Sequence, residues 1–358
     1  MLQPDFESAG YGPRRLSVEL TNICNLHCSY CLRDDDALYH TTAKFFAPEL
    51  LESIVRQARE AIGITHLNFT GGEPTLHPRF DEILTIAESN NLKVSFVTNG
   101  WNFEKIWPKL LTHRSAVTHV AFSIDGATRE LHDKWRGEGS FVRLVRAFSR
   151  CFAGELPFML KVVIRRDTLP QLEQLALFAA RMGAAALHFA HVTPTSADVA
   201  NTSALNLDER SQAEKEIAIL SRIFKMKIGI DVGYQNLDPA PPCSALIGVS
   251  ANVDYRGRLS LCCNLSGYRS GIGEEDVAGD LNQEDFASAY AALSKVAAAK
   301  LIARANHLHD VATHNLPLDL YTASPCLFCL DTMGKLPWRQ AATTDAATPR
   351  ALPVLGAI

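Results

Sequence analysis

The chain has 358 residues, 47% hydrophobic and 21% charged, with a net charge of −4 and a pI near 6.3. Such a composition fits a folded protein with a core sufficient for one large domain plus a smaller one. It offers no Lys/Arg block to release counterions from phosphates, no apolar run expected to reach the roughly 20 residues that span a bilayer, and no signal-peptide order at the start. The expectation is therefore a cytoplasmic chain with neither nucleic acid nor membrane as a partner.

In chain order, short apolar runs at 15–20, 66–69, 93–98, 119–124, 158–164 and 186–192 alternate with amphipathic stretches at 48–62, 80–90, 103–111, 140–153 and 169–182. Runs this short and this rich in Val, Ile, Leu and Phe read as strands buried on both faces. Six strands alternating with helices predict an α/β fold with a parallel sheet and right-handed crossovers, curled into a partial (β/α)6 barrel. A polar helix at 208–227 reads as a bridge. Beyond it, 248–261 alternates around Tyr255-Arg256-Gly257 and predicts a β-hairpin. The segment 286–307 is an Ala-rich helix, and the tail from 341 is rich in Ala, Thr and Pro. The expected division is an N-terminal extension at 1–14, the barrel at 15–206, a bridging helix and linker at 207–235, a smaller cysteine-bearing domain at 236–340 and the tail at 341–358.

Nine cysteines in a chain read as cytoplasmic point to metal rather than disulfides. After the first strand come Cys24, Cys28 and Cys31, spaced Cys-x3-Cys-x2-Cys. Three thiolates on one loop ligate three irons of a 4Fe–4S cubane and leave the fourth iron open. The competing reading is a zinc loop that borrows His27 or His40. The second strand runs into Thr70-Gly71-Gly72-Glu73-Pro74, where glycines permit close backbone approach and the carboxylate can accept from an ammonium. The third strand ends in Thr98-Asn99-Gly100 and the fourth in Ser123-Ile124-Asp125-Gly126. Their hydroxyl, amide and carboxyl groups suit hydrogen bonds to a polar ligand, although Asn-Gly and Asp-Gly are also plain turn chemistry. Arg165 or Arg166 follows the fifth strand and can pair with a carboxylate. His191 follows the sixth.

The string CNLHCSYC, with Tyr30 before the last cysteine, followed by GGEP directly after a strand, resembles the signature of the radical S-adenosylmethionine (SAM) superfamily. The resemblance implies a 4Fe–4S cluster on Cys24, Cys28 and Cys31. It implies SAM held near Tyr30, Gly71, Gly72, Glu73, Pro74, Thr98, Asn99, Ser123, Asp125, Arg165 and His191. SAM would be cleaved reductively to a 5′-deoxyadenosyl radical that abstracts a substrate hydrogen.

The C-terminal third holds Cys243, Cys262, Cys263, Cys326 and Cys329. One cysteine, a hairpin cysteine and a distant CxxC supply four thiolates, enough to close a second cluster or a zinc ribbon. Cys262 fits the spacing better than Cys263, and a hairpin end presents the two to opposite faces. The pattern, with Ala278-Gly279-Asp280-Leu281 before the helix, resembles the Twitch form of the SPASM domain, which carries one auxiliary cluster. That resemblance implies an electron acceptor and hence an oxidative modification of a small molecule or ribosomally made peptide, with a flavodoxin- or ferredoxin-type electron donor. Because 23 residues precede Cys24, the expectation leans to a small molecule or to a peptide delivered by a separate recognition protein. Alternatives are a redox-neutral epimerase or maturase, with Cys263 or Cys151 as hydrogen donor, and a non-catalytic iron–sulfur or zinc protein.

Overall fold

The computed structural model describes residues 14–33, 39, 41–268 and 273–339. The extension before Arg14, the alternative zinc ligand His40 and the tail at 341–358 lie outside the described residues.

All six expected runs are strands: β1 (Arg14–Glu19), β2 (Ile64–Thr70), β3 (Lys93–Thr98), β4 (Val117–Ile124), β5 (Phe158–Ile164) and β6 (Ala186–His191). Each pairs in parallel with the next. Side chains alternate between two faces, as the pleat requires. Leu67, Phe69, Phe96, Phe122, Leu160 and Phe189 are fully buried beneath the helices that return the chain between strands. Those helices are α1 (Pro48–Ile62), α2 (Phe80–Ser89), α3 (Phe103–Thr112), α4 (Arg129–Arg136), α5 (Ser140–Ala153) and α6 (Leu172–Arg181). Phe80 of α2 packs edge-on against Phe69 and Phe96, and Phe103 of α3 against Phe122. The opposite face is polar: Ser95 bridges His66 and Asn68, and Lys161 on β5 pairs with Asp231. The sheet therefore curls a polar interior inside an apolar jacket, which is a partial barrel.

Two expectations change here. The segment 208–227 is not a bridge. After a short helix α7 (Ala197–Thr202), α8 (Leu207–Ile223) buries Ala213, Ile217 and Leu220 and delivers the chain into β7 (Lys227–Val232), parallel to β6. In Lys227-Ile-Gly-Ile-Asp-Val232 only Ile228 and Ile230 face the core, and the central glycine breaks the apolar run that marked the other six strands. Helix α4 has no signal in the sequence, because it buries only His132 and Arg136 and has no apolar stripe.

The hairpin forms as expected, from β8 (Ser250–Val253) and β9 (Arg258–Ser260). Asp254 accepts the Arg256 and Arg258 N–H groups to shape its turn, and Gly257 takes φ +88°. β8 runs parallel beside β1, and β10 (Val277–Asp280) closes the edge antiparallel to β9. One ten-stranded sheet results, in the order β10-β9-β8-β1-β2-β3-β4-β5-β6-β7. Helix α9 (Phe286–Thr313) covers β10, and α10 (Leu320–Ala323) and α11 (Pro325–Thr332) follow. By length and composition α9 is apolar enough to cross a bilayer, which corrects the expectation that no segment reaches that mark. It instead lays Phe286, Ala289, Leu293 and Ala297 on the protein and carries a buried Arg304.

Candidate functional site

The candidate residues gather where the strands of such a sheet end, at the carboxyl edge of β1 to β5. The loop after β1 is joined to the turn after β2 by backbone hydrogen bonds. Gly72 N donates to Thr21 O at 2.9 Å and Glu73 N to Ile23 O at 2.8 Å. Gly71 sits at φ +121°, and a Cβ there would lie 2.6 Å from Thr21 O. At Gly72 it would lie 1.9 Å from Ile23 O. The glycines are thus required first by the approach of the cysteine loop.

Glu73 holds the next layer. Its Oε1 accepts from Thr75 N at 3.2 Å, Thr75 Oγ1 at 2.6 Å and Thr98 Oγ1 at 2.7 Å, and its Oε2 from Asn99 N at 2.8 Å. Burial raises its pKa, and those hydrogen bonds oppose the rise. Asn99 Nδ2 lies 3.0 Å from Asn25 Oδ1 and 3.8 Å from Cys24 Sγ. Thr98 and Asn99 therefore tie Glu73 to the cysteine loop. Burial, with the Glu73 charge adding to it, pushes the Cys24 thiol up to about 12, so a thiolate there needs a cation beside it.

Tyr30, Asp125 and Arg165 belong to a second cluster, joined by Arg136 of α4. Tyr30 Oη donates to Asp125 Oδ2 at 2.5 Å, Arg136 Nη2 donates to Tyr30 Oη at 2.7 Å, and Arg136 Nε bonds Asp125. Arg165 Nη1 pairs with Asp125 Oδ1 at 2.8 Å and its guanidinium stacks on Trp135 and Tyr30, 4.1 and 4.5 Å from the ring centres. Burial alone would raise the Asp125 pKa, but the two guanidiniums, Arg136 then Arg165, hold it well below the usual carboxylate range. Arg165 Nη2 is buried with no partner. Arg166 is on the surface, bonded to Asn201 O and 3.5 Å from Glu209, so Arg165 is the inward arginine of the two. Ser123 is half-buried on the interior face. Arg136 and Trp135 carried no sequence signal, because α4 was not anticipated.

Cys243, Cys262, Cys326 and Cys329 line one apolar cavity. It is enclosed by the ends of β6, β7 and β9 together with α8 and α11. Burial pushes the Cys326 and Cys329 thiols up to about 12. Cys263 is absent from that lining; it hydrogen-bonds Cys262, and its charged neighbours are Arg33, Glu19 and Lys161. The hydrogen bond from Cys262 holds the Cys263 thiol below its ordinary value against the effect of burial.

Two sequence expectations fall here. His191 does not reach the interior with Asp125 and Arg165. In β6 it shares the outward face with Leu187 and Phe189, lines the cavity of the second cysteine group and lies 3.3 Å from Glu214 Oε1. A one-residue difference in phase selects the face. Cys151 is fully buried on α5 within the apolar core, so it cannot serve as a donor to a bound substrate.

The two cysteine groups are linked. Arg33, two residues after Cys31, forms an antiparallel bridge with Tyr268, donates from Nη1 to Ser266 O at 3.0 Å and pairs through Nη2 with Glu19 at 2.9 Å. Nothing in the sequence singled out Arg33 or Glu19.

A cysteine loop and glycine-rich turn at the carboxyl edge of a curled parallel sheet define the class: a partial-barrel protein built to carry an iron–sulfur cluster and SAM. Residues 18–179 match the Radical SAM superfamily, and the chain belongs to that superfamily of enzymes through this segment. It is 36% identical over 187 residues to mycofactocin maturase MftC of Mycobacterium tuberculosis (strain CDC 1551 / Oshkosh), covering 50% of this chain and 45% of that protein. It is 28% identical over 261 residues to PqqA peptide cyclase of Gluconobacter oxydans (strain 621H), covering 70% of each. The match thus spans under half the length of the mycofactocin maturase. Among solved structures, anSMEcpe with bound AdoMet superposes with a TM-score of 0.66 at 17% identity, over 94% of this chain and 97% of that one, a likeness of fold. The superfamily implies a 4Fe–4S cluster and SAM, and three half-buried thiols on one braced loop fit that demand.

Proposed function

We propose that this protein is a radical SAM enzyme that modifies a peptide, with Cys24, Cys28 and Cys31 holding the SAM-cleaving cluster and Cys243, Cys262, Cys326 and Cys329 an auxiliary one. The observation that carries the reading is the pairing of the cysteine loop with Gly71-Gly72-Glu73 through backbone hydrogen bonds. When bound, the group held by Cys24, Cys28 and Cys31 would supply the electron for reductive SAM cleavage and so the means of hydrogen abstraction, and the group held by the second cysteine set would supply an electron acceptor.

The chain's own residues bind and orient. Glu73 Oε2 takes one protein donor and keeps acceptor capacity for the SAM ammonium. The unpartnered Arg165 Nη2 answers a carboxylate, held in place by Asp125 and by stacking on Trp135. Ser123 supplies a hydroxyl to the same interior. Gly71, Gly72 and Pro74 shape the turn, and Thr98 and Asn99 position Glu73. Tyr30 holds Asp125. PqqA peptide cyclase, by its name, acts on a peptide, which favours a peptide substrate over a free small molecule. A flavodoxin- or ferredoxin-type donor supplies the low-potential electron.

A redox-neutral hydrogen-donor reaction has one observation in its favour: Cys263 faces away from the auxiliary cavity, among Arg33, Glu19 and Lys161.

The test is 5′-deoxyadenosine formation under strict anaerobiosis with a chemical reductant. Wild type is expected to produce it, and Cys28→Ala to produce none while keeping the auxiliary iron. Full activity in Cys28→Ala would refute the assignment.

A further inference from the structure

Among the described residues, most buried arginines are paired with carboxylates. Arg33 pairs with Glu19, and Arg136 and Arg165 share Asp125. Two are not, and both lie at the second cysteine group. Arg210 of α8 is fully buried and lines the cavity. Its guanidinium donates only to carbonyls: Nε to Leu205 O at 3.3 Å, Nη1 to Gly233 O at 2.8 Å and Nη2 to Val192 O at 3.5 Å. Arg304 of α9 is 1% exposed. It donates from Nη1 to Thr322 O at 3.1 Å and from Nη2 to Asn236 O, and its Nε has no partner. Its guanidinium sits 5.6 Å from the ring centre of Phe328, the residue before Cys329. Among the described residues neither arginine has a carboxylate within ion-pair distance. Glu214 acts on Arg210, and Asp238 on Arg304, only from beyond that distance. A buried cation with no paired carboxylate is costly, and one lining the cavity with a second against Phe328 points to an anionic occupant.

His191 is the third member. Its ring lines the cavity, Nε2 faces Glu214, and Nδ1 is buried without a partner. Thiolates and sulfides are acceptors, so an N–H at Nδ1 is what such an occupant would meet. With Nδ1 protonated, Glu214 bonds a neutral ring as the acid, donating to Nε2, and an imidazolium as the carboxylate, accepting from it.

We infer that Arg210, Arg304 and His191 form a cationic, hydrogen-bonding cradle that raises the reduction potential of an iron–sulfur centre ligated by Cys243, Cys262, Cys326 and Cys329. This rests on the reading of that cavity as an iron–sulfur site. Four thiolates leave a cubane net anionic, reduction adds one more negative charge, and nearby cations and N–H donors favour the more negative state.

The test is an EPR-monitored redox titration of the full-length chain with Cys24, Cys28 and Cys31 all changed to Ala, so that one cluster is left. Arg304→Gln and Arg210→Gln are each expected to lower the midpoint potential at unchanged iron content, with Arg304→Lys returning it toward the parent. His191→Phe is expected to lower it less and to remove an exchangeable proton coupling from the pulsed-EPR spectrum. His191→Gln, which keeps a donor, is the second variant should the Phe variant misfold, and is expected to stay near the parent. Unchanged midpoints across the arginine and histidine variants would overturn the inference. A directly bonded nitrogen coupling that disappears in His191→Gln would make His191 an iron ligand and remove it from the cradle. A parent that holds zinc and no iron refutes the underlying cluster reading and the cradle's redox role together, and is recognised by the lack of any signal to titrate.

Discussion

The loop of Cys24, Cys28 and Cys31 and the cavity of Cys243, Cys262, Cys326 and Cys329 are assembled in opposite ways. The loop takes its shape locally: three cysteines within eight residues, fixed by main-chain hydrogen bonds to Gly72 and Glu73 and by glycines that leave no room for a Cβ. The cavity draws its four thiols from three separate stretches of chain and is walled by residues of β6, β7, α8 and α11 and by the chain that follows β9. Their charge environments differ as well. Around the loop, the buried arginines Arg33, Arg136 and Arg165 are neutralised by Glu19 and Asp125. Around the cavity, Arg210 and Arg304 are bonded to carbonyls alone. A site set by backbone contacts is sensitive to single atoms, whereas one set by packing is sensitive to the elements that converge on it.

That contrast can be broken most sharply at Gly72. Gly72→Ala places a Cβ 1.9 Å from Ile23 O, so the loop must move. The expected outcome is loss of 5′-deoxyadenosine formation and a fall from about eight to about four irons per chain, measured after anaerobic reconstitution. Retained activity with eight irons would show that the loop is not held by this contact. Cys326→Ala probes the other side: reductive SAM cleavage should persist while product formation falls steeply, measured as product per 5′-deoxyadenosine. Equal yields would make the second site merely structural.

Asp125→Asn tests the bracing of the loop by side chains. It removes the counter-charge of Arg136 and Arg165, and the expected loss is about 3–5 kcal/mol of unfolding free energy, read by denaturant titration.

The smallest effect concerns the polar interior of the barrel, away from both sites. Burial lowers His66 to about 3 and His119 to about 4. For a base whose folded pKa is depressed, the unfolded chain binds more protons below its own pKa of about 6.5, so stability is complete above that pH and falls as the pH drops. The expected slope is about 1 kcal/mol per pH unit for each such histidine. In His66→Asn the slope of a Tm-against-pH series should flatten by one histidine's share, and an unchanged slope would mean that His66 is charged in the folded state.

Much of the architecture was legible because buried parallel strands announce themselves as apolar runs, and all six such runs formed strands. The strand Lys227–Val232 escaped because a glycine interrupts it, and α4 because its inward residues are His132 and Arg136 rather than aliphatics. The sequence marks the motif residues but not their neighbours: Thr75 and Asn25 beside Glu73 and Asn99, Arg136 and Trp135 beside Tyr30 and Asp125, and the whole Arg33–Glu19 pair behind the cysteine loop. Those partners lie up to 106 positions apart and follow no period.

By itself the sequence determined the alternation of strand and helix, the spacing of Cys24, Cys28 and Cys31, and the glycines that receive them, because each is a local matter of periodicity, ligand spacing or backbone room. Tertiary structure alone decided that His191 faces the second cysteine group and that Arg210 and Arg304 bond carbonyls instead of pairing with carboxylates. Which face a side chain takes, and which charge it meets there, depends on strand phase and on helices distant in the chain, and no short stretch of residues encodes either.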